Sequence, residues 1–237
     1  MHEITFREWL ENMTGKTKLA IFDFDGTLAN TPMKPQTKKE MDAMGWNGKD
    51  WWGSTASLPD GITFNEEVVE AFLIAKKDPQ TCAVLITGRR GITADRVREM
   101  LLGQGLVGRR QVAPSNKIAL SKVKKHPGED EHPHLHDEFY CGDFSTESDY
   151  PKTTNGKADG STIAHKKYVI EQKLMNDNIQ QIDFWDDRSD HIPHFIKLGM
   201  ELQRRWPNLK QVTMHRVYPP QVPGATAWVQ HIPIRAN

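Results

Sequence analysis

Cysteine is scarce in this 237-residue chain. The 2 present, Cys82 and Cys141, lie in separate apolar stretches without metal-ligand spacing. A disulfide scaffold and a cysteine zinc site are therefore excluded, and two reduced, partly buried thiols are expected. Excess charge is missing too: 31 basic side chains balance 31 acidic ones. That argues against a globally basic nucleic-acid binder while leaving local patches open. No apolar run approaches the length that crosses a bilayer, and the first residues lack a basic region followed by an apolar one, so a cytoplasmic chain with no membrane association is expected. Internal repeats, low-complexity tracts, Walker-type phosphate loops and ligase or kinase signatures are absent. What remains, 37% hydrophobic and 26% charged residues, suits one globular core spanning 1–237 and carrying sizeable insertions.

Along the chain, Thr5 is placed to cap a short helix ended by Gly15. The run Leu19–Asp25 reads as a buried strand broken by Gly26. Residues 29–64, with several prolines and glycines and Trp46, Trp51 and Trp52, read as an insertion over the strand ends and not as core. Asn65 is expected to cap a helix reaching about Lys77. Thr81–Thr87 reads as a strand, Thr93–Gln104 as a helix, and 106–137 as a second insertion. Further strands are expected at Glu138–Gly142, Ile182–Trp185 and Lys210–Tyr218, with helices at Thr162–Met175 and Pro193–Trp206 and a proline-containing tail at the end. Strands separated by helices predict an α/β fold, a Rossmann-like, mostly parallel sheet flanked by helices. Ligands of such sheets sit beyond the carboxyl ends of the strands. Asp23, Asp25, Thr87, Asp186 and Asp187 all fall there.

The hexapeptide Asp23–Leu28 (DFDGTL) carries the strongest chemistry. Two acids at i and i+2 leaving a strand lie on one side, within reach of one small ion or phosphate. One carboxylate can attack phosphorus and form a covalent intermediate. The second can protonate the leaving oxygen and then activate the water that releases the intermediate. Acid duty at neutral pH requires Asp25 to hold a proton, and the like charge of Asp23 with partial burial favours that.

These residues resemble the haloacid dehalogenase (HAD) superfamily, whose first motif is a nucleophilic Asp, one residue, an acid/base Asp, then Gly-Thr. The second motif, a Thr or Ser ending an apolar strand, is matched by Thr87 in LITGR. The resemblance implies that its hydroxyl and the Gly88 amide bind a phosphoryl oxygen. The third motif, a helical Lys, is matched best by Lys166, with Lys167 and Lys157 as rivals. The fourth, paired acids after an apolar strand, is matched by FWDDR (Phe184–Arg188). The implied cofactor is Mg²⁺, held by Asp23, the Asp25 carbonyl and one of Asp186 and Asp187, with Asp187 favoured as the direct ligand and Asp186 standing behind it. An Asp at position 25 matches the superfamily's phosphatases, so the implied activity is that of a phosphoric monoester hydrolase.

A narrower similarity is to the HAD domain of Swiss Army Knife RNA repair proteins. It rests on Trp51-Trp52, Asn65-Glu66, Leu85–Arg89, Thr162 with His165-Lys166, and DDR followed by His191. The DDR element also resembles the phosphatase domain of polynucleotide kinase-phosphatases. The implied substrate is a phosphorylated RNA or DNA end, as for a polynucleotide 3′-phosphatase, with Gly88, Arg89, Trp51 and Trp52 on the substrate. His165 stands where that family usually has Phe, and Asp186 where it usually has Glu. The tryptophans suit either base stacking or a hydrophobic plug, and the basic stretch Arg109–Lys125 suits either a phosphate-backbone track or a solvated face. His126, His132, His134 and His136 are irregularly spaced and read as a loop, not as a zinc site. His191 suits either a structural cap or a group orienting Asp187 or Arg188. A small-molecule phosphatase or 5′-nucleotidase would use the same machinery, and a non-catalytic binding module would keep only the fold.

Overall fold

Each apolar run that ends in a polar residue becomes a central strand. The structure is a computed structural model that describes residues 15–89, 93–106, 138–141, 162–176, 178–220 and 226–236. The expected helix from Thr5, the rest of the 106–137 stretch after Leu106 with its histidines, and the polar stretch containing Lys157 lie outside the described residues. The elements are β1 (Lys18–Phe22), α1 (Lys38–Ala43), α2 (Glu66–Lys77), β2 (Thr81–Thr87), α3 (Ala94–Gly103) and β3 (Glu138–Cys141). They continue with α4 (Thr162–Asn176), β4 (Gln181–Asp186), α5 (Ile192–Arg205), β5 (Gln211–Tyr218) and β6 (Trp228–Ile234).

The sheet order is β3-β2-β1-β4-β5-β6. Neighbours from β3 to β5 run parallel, and β6 pairs antiparallel with β5. The α/β, mostly parallel architecture expected from the sequence is the one found. Alternation along each strand divides the core in two. Leu19, Ile21, Val84, Ile182, Phe184 and Met214 pack under α4 and α5. Ala20, Phe22 and Leu85 pack against Val68 and Phe72 of α2 and Val97 and Leu101 of α3. From β1 the chain winds to β2 on one side and β4 on the other, so the crevice at the carboxyl ends of these strands is where Asp23, Thr87 and Asp186 emerge. Among the described residues no helix is long and apolar enough to cross a membrane.

Three local differences from the sequence reading have physical causes. Segment 29–64 contributes to the core: Ala29 and Leu58 join the second cluster, and Trp46 and Trp51 are buried edge to face, 5.1 Å between centroids. It also holds α1, opened by a capping box in which Thr37 accepts from the Glu40 amide and Glu40 reaches back. The tail is strand β6, registered from Val212↔Ile234 to Tyr218↔Trp228. Its Pro233 is tolerated because β6 is the sheet edge, where a missing donor costs no ladder bond. Asn65 makes no side-chain cap on α2. Its amide donates instead to the carbonyls of Gly26 (3.3 Å) and Thr27 (2.5 Å), fixing the loop after β1.

Candidate active site

The loop after β1 sets the centre. Gly26 takes φ +70, and a Cβ there would run into the Asp187 carboxylate, so glycine lets the loop and the β4 end approach each other. Asp23 is buried, and its Oδ1 accepts from the Phe24 amide at 2.8 Å. From α4, Lys166 crosses to the same point. Its ammonium, also buried, lies 3.0 Å from Asp23 Oδ2 and 2.5 Å from Asp186 Oδ2. Of the two candidate lysines among the described residues, Lys166 is therefore the one that meets the acids, while Lys157 lies outside them. Lys167 faces Glu201 at 3.6 Å on the surface.

Asp186 is held on several sides. Beyond Lys166, its Oδ1 accepts from the Arg188 amide at 3.0 Å, and both of its oxygens lie 3.2 Å from His191 Nδ1. His191 thus orients Asp186, not Asp187 or Arg188. Burial would raise the Asp186 pKa, but the Lys166 ammonium and the His191 contact outweigh it and hold the group at about 2. Asp187, one residue on, is met by the Thr27 hydroxyl, which donates to its Oδ1 at 3.2 Å. Burial and the charges of Asp23 and Asp186 push it up to about 8. Asp23 lies between these extremes, raised to about 6 by burial against the pull of Lys166. Burial opposes the charge on Lys166, yet the two acids outweigh it and raise its pKa, keeping it an ammonium.

On the other side stands Asp25. The sequence reading weighed the like charge of Asp23 and partial burial, whereas the structure also gives it a cation. Arg89, buried at 1% exposure, donates from Nε (2.9 Å) and Nη2 (2.6 Å) to Asp25 Oδ1. The Thr31 hydroxyl donates to the same oxygen at 2.7 Å. The far end of the guanidinium is anchored on Ser57, with Nη1 to Oγ at 2.6 Å and Nη2 to the carbonyl at 3.2 Å. Thr87 lies 3.5 Å from Asp25 Oδ2, and its oxygen accepts from the Arg89 amide at 3.2 Å. Gly88 is required by α4: a Cβ there would lie 2.6 Å from Thr162 Oγ1. The Arg89 guanidinium also lies 5.3 Å from the ring of Trp52, which is 38% exposed. Trp52 reaches the surface, while Trp51 is packed inside against Trp46.

Asp23, Asp25, Thr87, Lys166, Asp186, Asp187, Gly88 and Arg89 therefore gather at one strand-end crevice. Sequence reasoning missed Ser57, Thr31 and the loop-fixing role of Asn65. Nothing in their local pattern marks them: Ser57 and Asn65 act through partners distant in the chain, and Thr31 reaches Asp25 only because the loop after β1 folds back.

The donor set fits a small hard cation. Asp23, Asp186 and His191 lie within 4.8 Å of one another, but the Lys166 ammonium already bridges Asp23 and Asp186, so positive charge is supplied there. Among the described residues the Asp187 side has oxygen donors and no cation, and burial with the charges of Asp23 and Asp186 raises its pKa. Carboxylate oxygens of this kind suit Mg²⁺.

A family model described as HAD domain family 1 in Swiss Army Knife RNA repair proteins matches residues 28–222 of the chain. The matched span contains Thr87, Lys166, Asp186 and Asp187 and begins just after Asp23 and Asp25. No curated protein and no solved structure matches the chain.

Proposed function

Because the chain belongs to HAD domain family 1 in Swiss Army Knife RNA repair proteins, we propose that it is a Mg²⁺-dependent phosphomonoesterase that removes phosphate from nucleic-acid ends through an aspartyl-phosphate. The observation that carries this reading is the meeting of Asp23, Lys166 and Asp186, from β1, α4 and β4, within 3.0 Å contacts at the mouth of the sheet.

Asp23 Oδ attacks phosphorus, forming a P–O bond as the ester P–O bond breaks. Asp25 gives its proton to the departing hydroxyl oxygen. Water then surrenders a proton to Asp25 and attacks phosphorus, the Asp23–phosphorus bond breaks, and inorganic phosphate leaves. Arg89, pinned by Ser57, fixes the rotamer of Asp25 for both proton transfers. The Thr87 hydroxyl and the Gly88 amide donate to a phosphoryl oxygen, and the Lys166 ammonium offsets charge between Asp23 and the phosphate. Held by Asp23 and Asp187 with the Asp25 carbonyl, Mg²⁺ would neutralise the approach of an anionic phosphate to an anionic carboxylate.

Phosphate release is to be compared for 3′-phosphorylated oligonucleotides, 5′-phosphorylated oligonucleotides, mononucleotides and sugar phosphates at one Mg²⁺ concentration. The proposal expects an oligonucleotide to be the best substrate and Asp23→Asn to abolish release. Turnover that survives Asp23→Asn contradicts the chemistry, and preference for a sugar phosphate contradicts the substrate.

A further inference from the structure

The carboxyl end of β5 and the start of β6 carry a group that the reaction does not use. Tyr218 and Trp228 oppose each other in the strand register, and their rings stack at 3.8 Å between centroids and 4° between planes. The Arg216 guanidinium lies over the Tyr218 ring, 4.4 Å from its centroid. One face of that ring is filled by the indole, so the guanidinium takes the other. The Tyr218 hydroxyl donates to Gln230 Oε1 at 3.1 Å, which holds the ring in its plane. The stack ends in Trp228, which is 54% exposed. Arg216 Nε is buried without a hydrogen-bond partner, and among the described residues Arg216 has no ion pair.

The stack stands beside the candidate active site. Arg216 is the register partner of Asp186, on the same face of the sheet. With strands about 4.8 Å apart and a rise of about 3.3 Å per residue, the Trp228 backbone lies about 12 Å from that of Asp186 and about 16 Å from that of Asp23, one strand further on. A few nucleotides of extended strand span that gap.

We propose that Arg216, Tyr218 and Trp228 form a stacking platform for a nucleobase of a single-stranded nucleic acid whose terminal phosphate occupies the Asp23 site. This rests on the reading of that site as acting on nucleic-acid ends. An open indole face stacks on any base, so the platform selects an unpaired strand without selecting its sequence. The pre-stacked tyrosine removes the cost of ordering the tryptophan, and the arginine adds charge for the neighbouring backbone. A cross-strand aromatic pair also helps close a hairpin, and the experiment must separate these roles.

The Asp23→Asn chain, expected to hold substrate without turnover, is titrated with a fluorescein-labelled single-stranded octanucleotide phosphorylated at one end. The comparison is the same strand made abasic at the nucleotides nearest the phosphate. The base-bearing strand is expected to bind roughly tenfold more tightly. Trp228→Ala removes that preference, Trp228→Phe keeps most of it, and Arg216→Gln lowers the salt dependence of binding for both strands. The phenylalanine variant keeps the comparison readable if the alanine variant folds poorly. Equal weakening of both strands by Trp228→Ala assigns the tryptophan to hairpin closure and overturns the platform, as does the absence of any base preference in the parent. If strands bind with base preference but wild-type chain does not hydrolyse them, the platform stands and the phosphatase reading falls. Hydrolysis without base preference gives the reverse.

Discussion

Asp186 and Asp187 leave the same strand end one residue apart, yet among the described residues the region behind Asp186 brings its own cation while the region in front of Asp187 brings none. Behind Asp186, α4 delivers Lys166 and the start of α5 delivers His191, and the carboxyl is held at about 2. In front of Asp187 there is a glycine turn and one hydroxyl, and the carboxyl is pushed up to about 8. Burial acts on both; the difference is the partner. On the proposed reading, a fold that sets a buried lysine between Asp23 and Asp186 and none beside Asp187 separates a permanent ion pair from a place for an exchangeable cation.

The largest effect that would break this comparison is loss of the built-in cation. Lys166→Met strands two buried carboxylates, which is expected to cost about 3–5 kcal/mol, measured by urea unfolding at pH 7. A loss below about 1 kcal/mol would mean that Asp23 and Asp186 are not held by the ammonium.

An effect of opposite sign is expected across the boundary. The folded pKa of Asp187 is raised from 3.8 to about 8, so its contribution to stability is fully present below about pH 4 and is lost as pH rises through about 8. Metal-free wild type should therefore lose stability over this window, with the share due to Asp23 ending near pH 6. Asp187→Asn removes the Asp187 share and should stabilise the metal-free chain at pH 8 by several kcal/mol, about 5 at most for a carboxyl raised from 3.8 to about 8, the gain vanishing towards pH 4. Mg²⁺ should raise the melting temperature of wild type more at pH 8 than at pH 5 and leave the variant unmoved. Thermal melts with and without Mg²⁺ at both pH values check this. Equal Mg²⁺ stabilisation of the two proteins would place the exchangeable cation elsewhere.

The same contrast explains what could be read from the sequence. The strand-end acids and Thr87 are legible because apolar runs stop at them, a local signal. Lys166 could be singled out only with the family pattern, since a helical lysine next to Lys167 carries no mark of which one points inward. Arg89 was visible as part of LITGR, but its grip on Asp25 was not, because the geometry comes from Ser57 in a turn that has no periodicity. His191 lies five residues from the acid it orients, and only the bend between β4 and α5 brings them together. Strand β6 escaped for another reason: an exposed edge strand containing Pro233 lacks the apolar run that reveals an interior one.

The central claim, covalent attack by Asp23, is tested most directly by acid-quenching wild-type chain during turnover of an oligonucleotide whose terminal phosphate is radioactive. Label is expected on the peptide containing Asp23, only when Mg²⁺ is present, and chased off by excess unlabelled substrate. Active enzyme that carries no label on that peptide, or an Asp23→Asn chain labelled to the same extent, would contradict the account.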